Sequence, residues 1–284
     1  MLSAMSTMPI VTLASGETVP ALGQGTWTMG DNTRNRKTEV AALRLGLDLG
    51  MTLIDTAEMY ASGGAEEVVG EAIAGRRNEV FIVSKVMPGN ASRRGTVGAC
   101  EKSLKRLKTD CIDLYLLHWP GSVPIAETVE GFTTLKRAGK IRHWGVSNFD
   151  VPEMEELIAV SDGEAVASNQ VMYNLRRRGI EYDLMPWCEK HKISLMAYSP
   201  LDQGKLLRAR ELEEIAARHK ASAAQVALAW VLLQKNVMAI PKAGSEAHMR
   251  ENHGALAVKL TKADLAALDR AFPAPQRKKP LAST

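Results

Sequence analysis

Cysteine is scarce in this 284-residue chain: Cys100, Cys111 and Cys188 are odd in number and far apart. That excludes a disulfide framework and fits reduced thiols in a cytoplasmic protein. No apolar run approaches the roughly 18 to 20 residues that cross a bilayer, so no membrane partner is expected. Residues 1–9 lack the basic start and apolar stretch of a signal peptide, and Met5 and Met8 offer alternative starts to Met1. There is no Pro-, Gly- or Ser-rich linker and no low-complexity tract, so residues 1–284 are expected to form one domain. Nor does one sign of charge dominate: 36 Lys and Arg against 32 Asp and Glu leave a net charge of +4. The basic runs at 176–178 and 277–279 are short and read as solvated, so no nucleic-acid partner is expected.

Several site motifs are missing as well. Gly23 and Gly25 begin a G-x-G, but Thr28 stands where a dinucleotide fingerprint needs a third glycine. A phosphate loop ending in Gly-Lys-Ser/Thr is absent, as is H-E-x-x-H. His248 and His253, five apart, do not share a helix face, so no metal is expected.

What is present is a repeat. Short apolar runs rich in β-branched residues recur about every 30 residues, the size of a strand–helix unit. They lie at 21–27, 52–55, 80–85, 112–118, 141–147, 167–171, 193–198 and 237–241. Each is continuously apolar rather than alternating, as parallel strands buried on both faces require. Helical periodicity fills the gaps: Val97, Cys100, Leu104 and Leu107 share one face of a helix starting near Arg94. Asp150 with Glu153, Ser222 with Gln225 and Thr261 with Asp264 have capping-box spacing, and Gly75 and Gly139 sit where helices would end. Eight such units can close an α/β (β/α)8 barrel, with an open doubly wound sheet as the competitor. Residues 10–19, centred on Ser15-Gly16-Glu17, read as an N-terminal β-hairpin outside the repeat.

Active sites of such barrels lie at the C-terminal ends of the strands. Asp55 ends the second run, Lys85 the third and His118 the fourth; Tyr60 follows Asp55 by five residues. Singly each has an ordinary structural reading: Asp55 as a helix cap, Lys85 as a surface lysine, His118 as a core histidine, Tyr60 as a loop aromatic. Their common location points to one chemistry. Hydride added to a carbonyl carbon leaves an alkoxide that needs a proton. A tyrosine hydroxyl is a poor acid near neutrality, a nearby ammonium lowers its pKa, and a carboxylate holds the ammonium in place. Tyr60, Lys85 and Asp55 supply these groups, and His118 can orient the carbonyl oxygen.

The segments Gly23-Gln24-Gly25-Thr26-Trp27, Ile54-Asp55-Thr56-Ala57-Glu58-Met59-Tyr60, Val83-Ser84-Lys85 and Leu114-Tyr115-Leu116-Leu117-His118-Trp119-Pro120 resemble the aldo-keto reductase family. Gly145-Val146-Ser147-Asn148-Phe149, Asn169-Gln170-Val171, Ala197-Tyr198-Ser199-Pro200-Leu201 and Ile240-Pro241-Lys242 extend the likeness in order to about residue 273. It is nearest to the compact bacterial reductases of small aldehydes such as methylglyoxal. The resemblance implies that Asp55, Tyr60, Lys85 and His118 are the catalytic tetrad and that NADPH lies across the barrel mouth. It implies Gly25, Thr26 and Trp27 against the nicotinamide half, Ser147, Asn148 and Gln170 on the carboxamide, and Tyr198 stacked on the ring. Ser199, Leu201 and Ile240 join the cofactor wall. Lys242, Ala243, Gly244 and Ser245 take the phosphate end, with Glu251 and Asn252 at the adenine. His248 stands where the family usually has an arginine, so the hold on a 2′-phosphate is expected to be weaker and pH-dependent.

Trp27, Met87 and Trp119 are expected to rim the substrate, a small carbonyl compound, and the short C-terminal tail to leave the pocket open. A monomer is expected. Two other readings stay open: an aldolase using Lys85 as a Schiff-base amine, and a non-enzymatic barrel subunit that senses NADPH.

Overall fold

The computed structural model describes residues 7–283. Met1 and Met5, two of the three alternative starts, lie outside the described residues; Met8 packs against the core.

Two strands, β1 (Ile10–Thr12) and β2 (Thr18–Pro20), pair antiparallel, with Val11 opposite Val19. Gly16, at φ +87°, permits the turn between them. The hairpin expected from residues 10–19 is therefore present.

Eight strands follow, each overlapping one of the apolar runs: β3 (Gln24–Gly25), β4 (Leu53–Asp55), β5 (Phe81–Val86), β6 (Ile112–Leu117), β7 (Ile141–Ser147), β8 (Ser168–Met172), β9 (Ser194–Tyr198) and β10 (Val237–Ala239), with β5 and β8 each running one residue further. They pair parallel in chain order. The circuit closes where Leu22 bridges Ala239 and Gly25 bridges Lys242, both parallel. Closure depends on Gly25: a Cβ there would stand 2.6 Å from the Ile240 carbonyl oxygen. The open sheet is thus ruled out by pairing between the first and last strands of the repeat.

Helices α1 (Arg36–Asp48), α2 (Gly64–Ala72), α3 (Arg93–Leu107), α4 (Ile125–Arg137), α5 (Val151–Ala159) and α6 (Leu184–Lys190) connect successive strands. Two helices, α7 (Arg210–His219) and α8 (Ala223–Leu232), precede β10, and α9 (Glu246–Gly254) and α10 (Lys262–Ala271) follow it. All three expected capping boxes form, at α5, α8 and α10; such caps contribute about 1 kcal/mol each. Gly139 and Gly75 adopt φ of +69° and +79° just beyond α4 and α2, the left-handed turn that ends a helix.

Burial separates two cores. A large shell of aliphatic side chains lies between strands and helices. A smaller cluster including Leu53, Val83, Leu114, Met196 and Met238 fills the barrel, and Val11, Leu13 and Val19 of the hairpin join it. The hairpin is thus the floor of the barrel, held there also by Glu17, which pairs with Arg142 at 2.7 Å and His143 at 2.7 Å. With the floor closed and the interior filled, the free mouth is at the C-terminal strand ends. No helix among the described residues is long and apolar enough to cross a membrane.

Candidate active site

Asp55 is the last residue of β4, Lys85 the penultimate residue of β5, and His118 directly follows β6. Parallel register brings these ends together. Lys85 is 0% exposed, and its Nζ donates to Asp55 Oδ2 at 2.8 Å, to the Thr56 carbonyl at 2.8 Å and to the Tyr60 hydroxyl at 3.3 Å. The ammonium also lies 4.9 Å from the Tyr60 ring centroid. The Tyr60 and His118 rings meet edge-on, with centroids 5.7 Å apart. All four side chains expected from the sequence are brought together.

Electrostatics in this cluster follow from burial. Burial alone would lower the Lys85 pKa; the charges of Asp55 and Tyr60 outweigh it and hold the ammonium above the ordinary lysine value. Burial also pushes the Asp55 carboxyl up, against the attraction of Lys85. For Tyr60, burial is again the largest influence and raises the phenol above its ordinary value. Lys85 pulls the other way, but Asp55 opposes that pull. Lys85 thus lowers the Tyr60 pKa as expected, but the net shift is upward, because burial of the phenol outweighs the ammonium. Burial, with help from the Lys85 charge, lowers His118 to about 3, so its imidazole is neutral.

Above the cluster opens a cavity of about 850 Å³. Tyr60, His118, Asp55 and Gln170 line its base, with Gly25, Thr26, Trp27, Trp119, Ser147, Asn148, Tyr198, Ser199, Leu201, Ile240 and Lys242 around it. The amides are already engaged. Gln170 Nε2 donates to Asp55 Oδ1 at 2.7 Å. Asn148, at φ +59°, donates to the His118 carbonyl at 3.1 Å and accepts from the Tyr198 hydroxyl at 2.8 Å. Ser147 Oγ donates to the Gln170 carbonyl at 2.9 Å.

The proposed phosphate end lies on the loop after β10. Lys242 is exposed and lines the cavity, Ala243 is buried, and Gly244 is half-buried. Ser245 caps α9, its hydroxyl accepting from the His248 backbone N–H at 3.4 Å. The His248 side chain is 70% exposed and its Nδ1 is 3.3 Å from Glu251 Oε2. Asn252 is buried, and its Nδ2 lacks a hydrogen-bond partner.

Two expectations about the substrate rim change. Trp27, 49% exposed, and Trp119 do line the cavity, but Met87 does not; it is half-buried, and its backbone N–H donates to Glu58. Met59, adjacent to Tyr60, lines the cavity instead. Nor does the tail leave the mouth clear. Leu281 and Ser283 line the cavity, because Lys278 reaches both Asp150 and Asp183 at 2.6 Å and ties the tail across the ends of α5 and α6. Nothing local to residues 273–283 signals this, since the anchoring carboxylates lie about a hundred residues away. Gln203 and Gly204, in the loop after β9, also line the cavity; their positive φ values are visible only in the fold.

Comparison with known proteins agrees with this arrangement. The aldo/keto reductase family model matches residues 21–272. Methylglyoxal reductase YeaE of Escherichia coli is 56% identical over 265 residues, covering 92% of this chain and 93% of its own. The glyoxal reductase of Bacillus subtilis is 37% identical over 262 residues, 91% of each chain. A crystal structure of an aldo/keto reductase from Klebsiella pneumoniae in complex with NADP and acetate superposes with a TM-score of 0.95 at 49% identity, covering 98% of this chain and all of that one. The closed eight-stranded barrel, the cluster at its mouth and these similarities together establish that the chain belongs to the aldo/keto reductase family of oxidoreductases.

Proposed function

We propose that this protein is one reductase barrel that uses NADPH to reduce small aldehydes and ketones, 2-oxoaldehydes such as methylglyoxal among them, to alcohols. The observation that carries the reading is the buried chain Asp55–Lys85–Tyr60, whose phenol opens into the cavity beside His118.

The donor set fits a dinucleotide. Ser147, Asn148 and Gln170 offer amide and hydroxyl groups suited to a carboxamide, and Tyr198 offers a flat face. Lys242, Ala243, Gly244 and the capped start of α9 at Ser245 suit phosphate. The buried Asn252 Nδ2, without a protein partner, suits an adenine nitrogen, with Glu251 beside it. Nicotinamide bound there supplies the hydride.

Tyr60 then donates its proton to the substrate oxygen. Its raised pKa keeps the phenol protonated at neutral pH, and the Lys85 ammonium stabilises the phenolate as the proton leaves. Asp55 keeps that ammonium charged and in place. His118 Nδ1 is buried without a partner, and an orphaned N–H costs more than an orphaned lone pair. The imidazole proton is thereby assigned to Nε2, from which His118 hydrogen-bonds and orients the carbonyl. Trp27, Trp119 and Met59 give the carbonyl compound an apolar rim.

Burial of Lys85, with three hydrogen bonds to its charged form, argues against a Schiff-base aldolase, which needs an accessible neutral amine. The free cysteines accord with a cytoplasmic protein, and the site is complete within one chain, as a monomer requires.

The test is a panel of small carbonyls assayed with NADPH and NADH by loss of nicotinamide absorbance. Methylglyoxal turnover is expected, and Tyr60→Phe should abolish it while leaving NADPH binding intact. Full turnover by that variant would sink the mechanism; tight NADPH binding with no turnover by the unaltered protein would favour the sensing role.

A further inference from the structure

We propose that Glu58 is a positioning residue for Tyr60, stitching the loop that carries the tyrosine to the strand end that carries Lys85. The proposal rests on the reading of Tyr60 as proton donor. It concerns a residue to which the chemistry above gives no part.

Glu58 is half-buried, two residues before Tyr60 and outside the cavity lining. Its backbone N–H donates to the Lys85 carbonyl at 3.3 Å. Its carboxylate Oε1 accepts from the Met87 backbone N–H at 2.7 Å and from Asn90 Nδ2 at 3.0 Å. Main chain and side chain of one residue therefore straddle Lys85–Val86–Met87.

The other side of Tyr60 is held differently. Ala61, Ser62 and Gly63 adopt φ of +50°, +51° and +96°, three successive left-handed residues, two of them not glycine. Non-glycine residues remain in that region only where their surroundings impose it. The Gly64 N–H, hydrogen-bonded to the Tyr60 and Ala61 carbonyls, closes the turn on this side. The Glu58 carboxylate secures the opposite side. Tyr60 thus hangs between two fixed points, and the 3.3 Å separation of its hydroxyl from Lys85 Nζ is set by the distance between them. Without the Glu58 carboxylate, the loop after β4 keeps its bonds to β5, from the Thr56 and Glu58 N–H groups and the Lys85 ammonium, but loses its side-chain tie to the loop after β5, and the phenol is free to drift from the ammonium.

The experiment is steady-state kinetics with methylglyoxal and NADPH, together with NADPH binding and thermal melting. Glu58→Ala should lower kcat by roughly 10- to 100-fold, the cost of a misplacement of about 1 Å, with NADPH affinity near that of the unaltered enzyme and the melting temperature lowered by only a few degrees, as the loss of two hydrogen bonds to a half-buried carboxylate implies. Glu58→Gln should recover most of the rate, because its amide oxygen still accepts the Met87 N–H. An unchanged kcat in Glu58→Ala, a Glu58→Gln variant no faster than Glu58→Ala, or a parallel collapse of NADPH binding and melting temperature would each overturn the assignment. Retained turnover in Tyr60→Phe alone would instead refute the reading of Tyr60, so the two failures are told apart.

Discussion

Gln170 and Asp55, 115 residues apart in the chain, are joined by a 2.7 Å hydrogen bond in the base of the barrel mouth. The residue assigned to the nicotinamide carboxamide therefore also holds the carboxylate that fixes Lys85. Gln170→Ala would leave Asp55 Oδ1 without its donor, and hydrogen bonds to charged groups contribute about 1.5–3 kcal/mol. We expect a loss of that size in urea denaturation together with weaker NADPH binding. A variant as stable as the parent would show that the bond contributes nothing.

Lys85→Met should be far more damaging. It strands the buried Asp55 carboxylate, and breaking a buried pair costs about 3–5 kcal/mol. Adding Asp55→Asn should restore much of the stability, because the buried charge is gone and the amide oxygen can still accept from Gln170. Catalysis should not return, since no ammonium remains beside Tyr60. Recovery of activity in the double variant would contradict the role given to Lys85.

The pH dependence follows from His118, lowered to about 3 from 6.5 by burial and by Lys85. Below pH 6.5 the unfolded imidazole binds a proton that the folded one refuses. Stability should therefore fall with pH between about 6.5 and 3, by up to about 1.4 kcal/mol per pH unit from this group. His118→Gln should flatten that part of the stability profile, read by denaturant titration at several pH values. For the same reason the hydride-transfer rate should show no inflection near pH 6.5. Tyr60, raised above its ordinary value, should lose its proton, and the enzyme its activity, only on an alkaline limb beyond the ordinary tyrosine range.

At the cofactor's far end, His248 is exposed on the first turn of α9, beside Glu251. Arginine there would bring a permanently charged fork to a 2′-phosphate. His248→Arg should tighten NADPH by about fivefold, roughly 1 kcal/mol, and leave NADH little changed in fluorescence titrations. Equal effects on both would place His248 away from the phosphate.

The tail makes a prediction about size. Lys278 joins Asp150 and Asp183, the caps of α5 and α6. Its side chain is 42% exposed, so the pairs are worth at most about 1 kcal/mol. Lys278→Ala should loosen residues 279–283 and lower KM for bulky aldehydes by a few-fold, with methylglyoxal little affected. Identical KM values across a size series would separate the tail from substrate selection.

Much of this molecule is written locally. The eight strands fell on the apolar runs, to within a residue at their C-terminal ends for β5 and β8, because a strand buried on both faces has no polar alternation to hide it. The three capping boxes were legible because the residues that satisfy one another are three apart. Asp55, Lys85 and His118 were legible because strand ends in a parallel barrel all reach the same mouth, and Tyr60 because it follows Asp55 closely. The tertiary structure decided what depends on distant partners. Barrel closure needed Gly25 to meet Ile240. The tail crossed the mouth because Lys278 found two carboxylates far earlier in the chain. The Tyr60 pKa went up rather than down because desolvation sums over everything packed around the phenol, whereas residue spacing shows only its nearest charge.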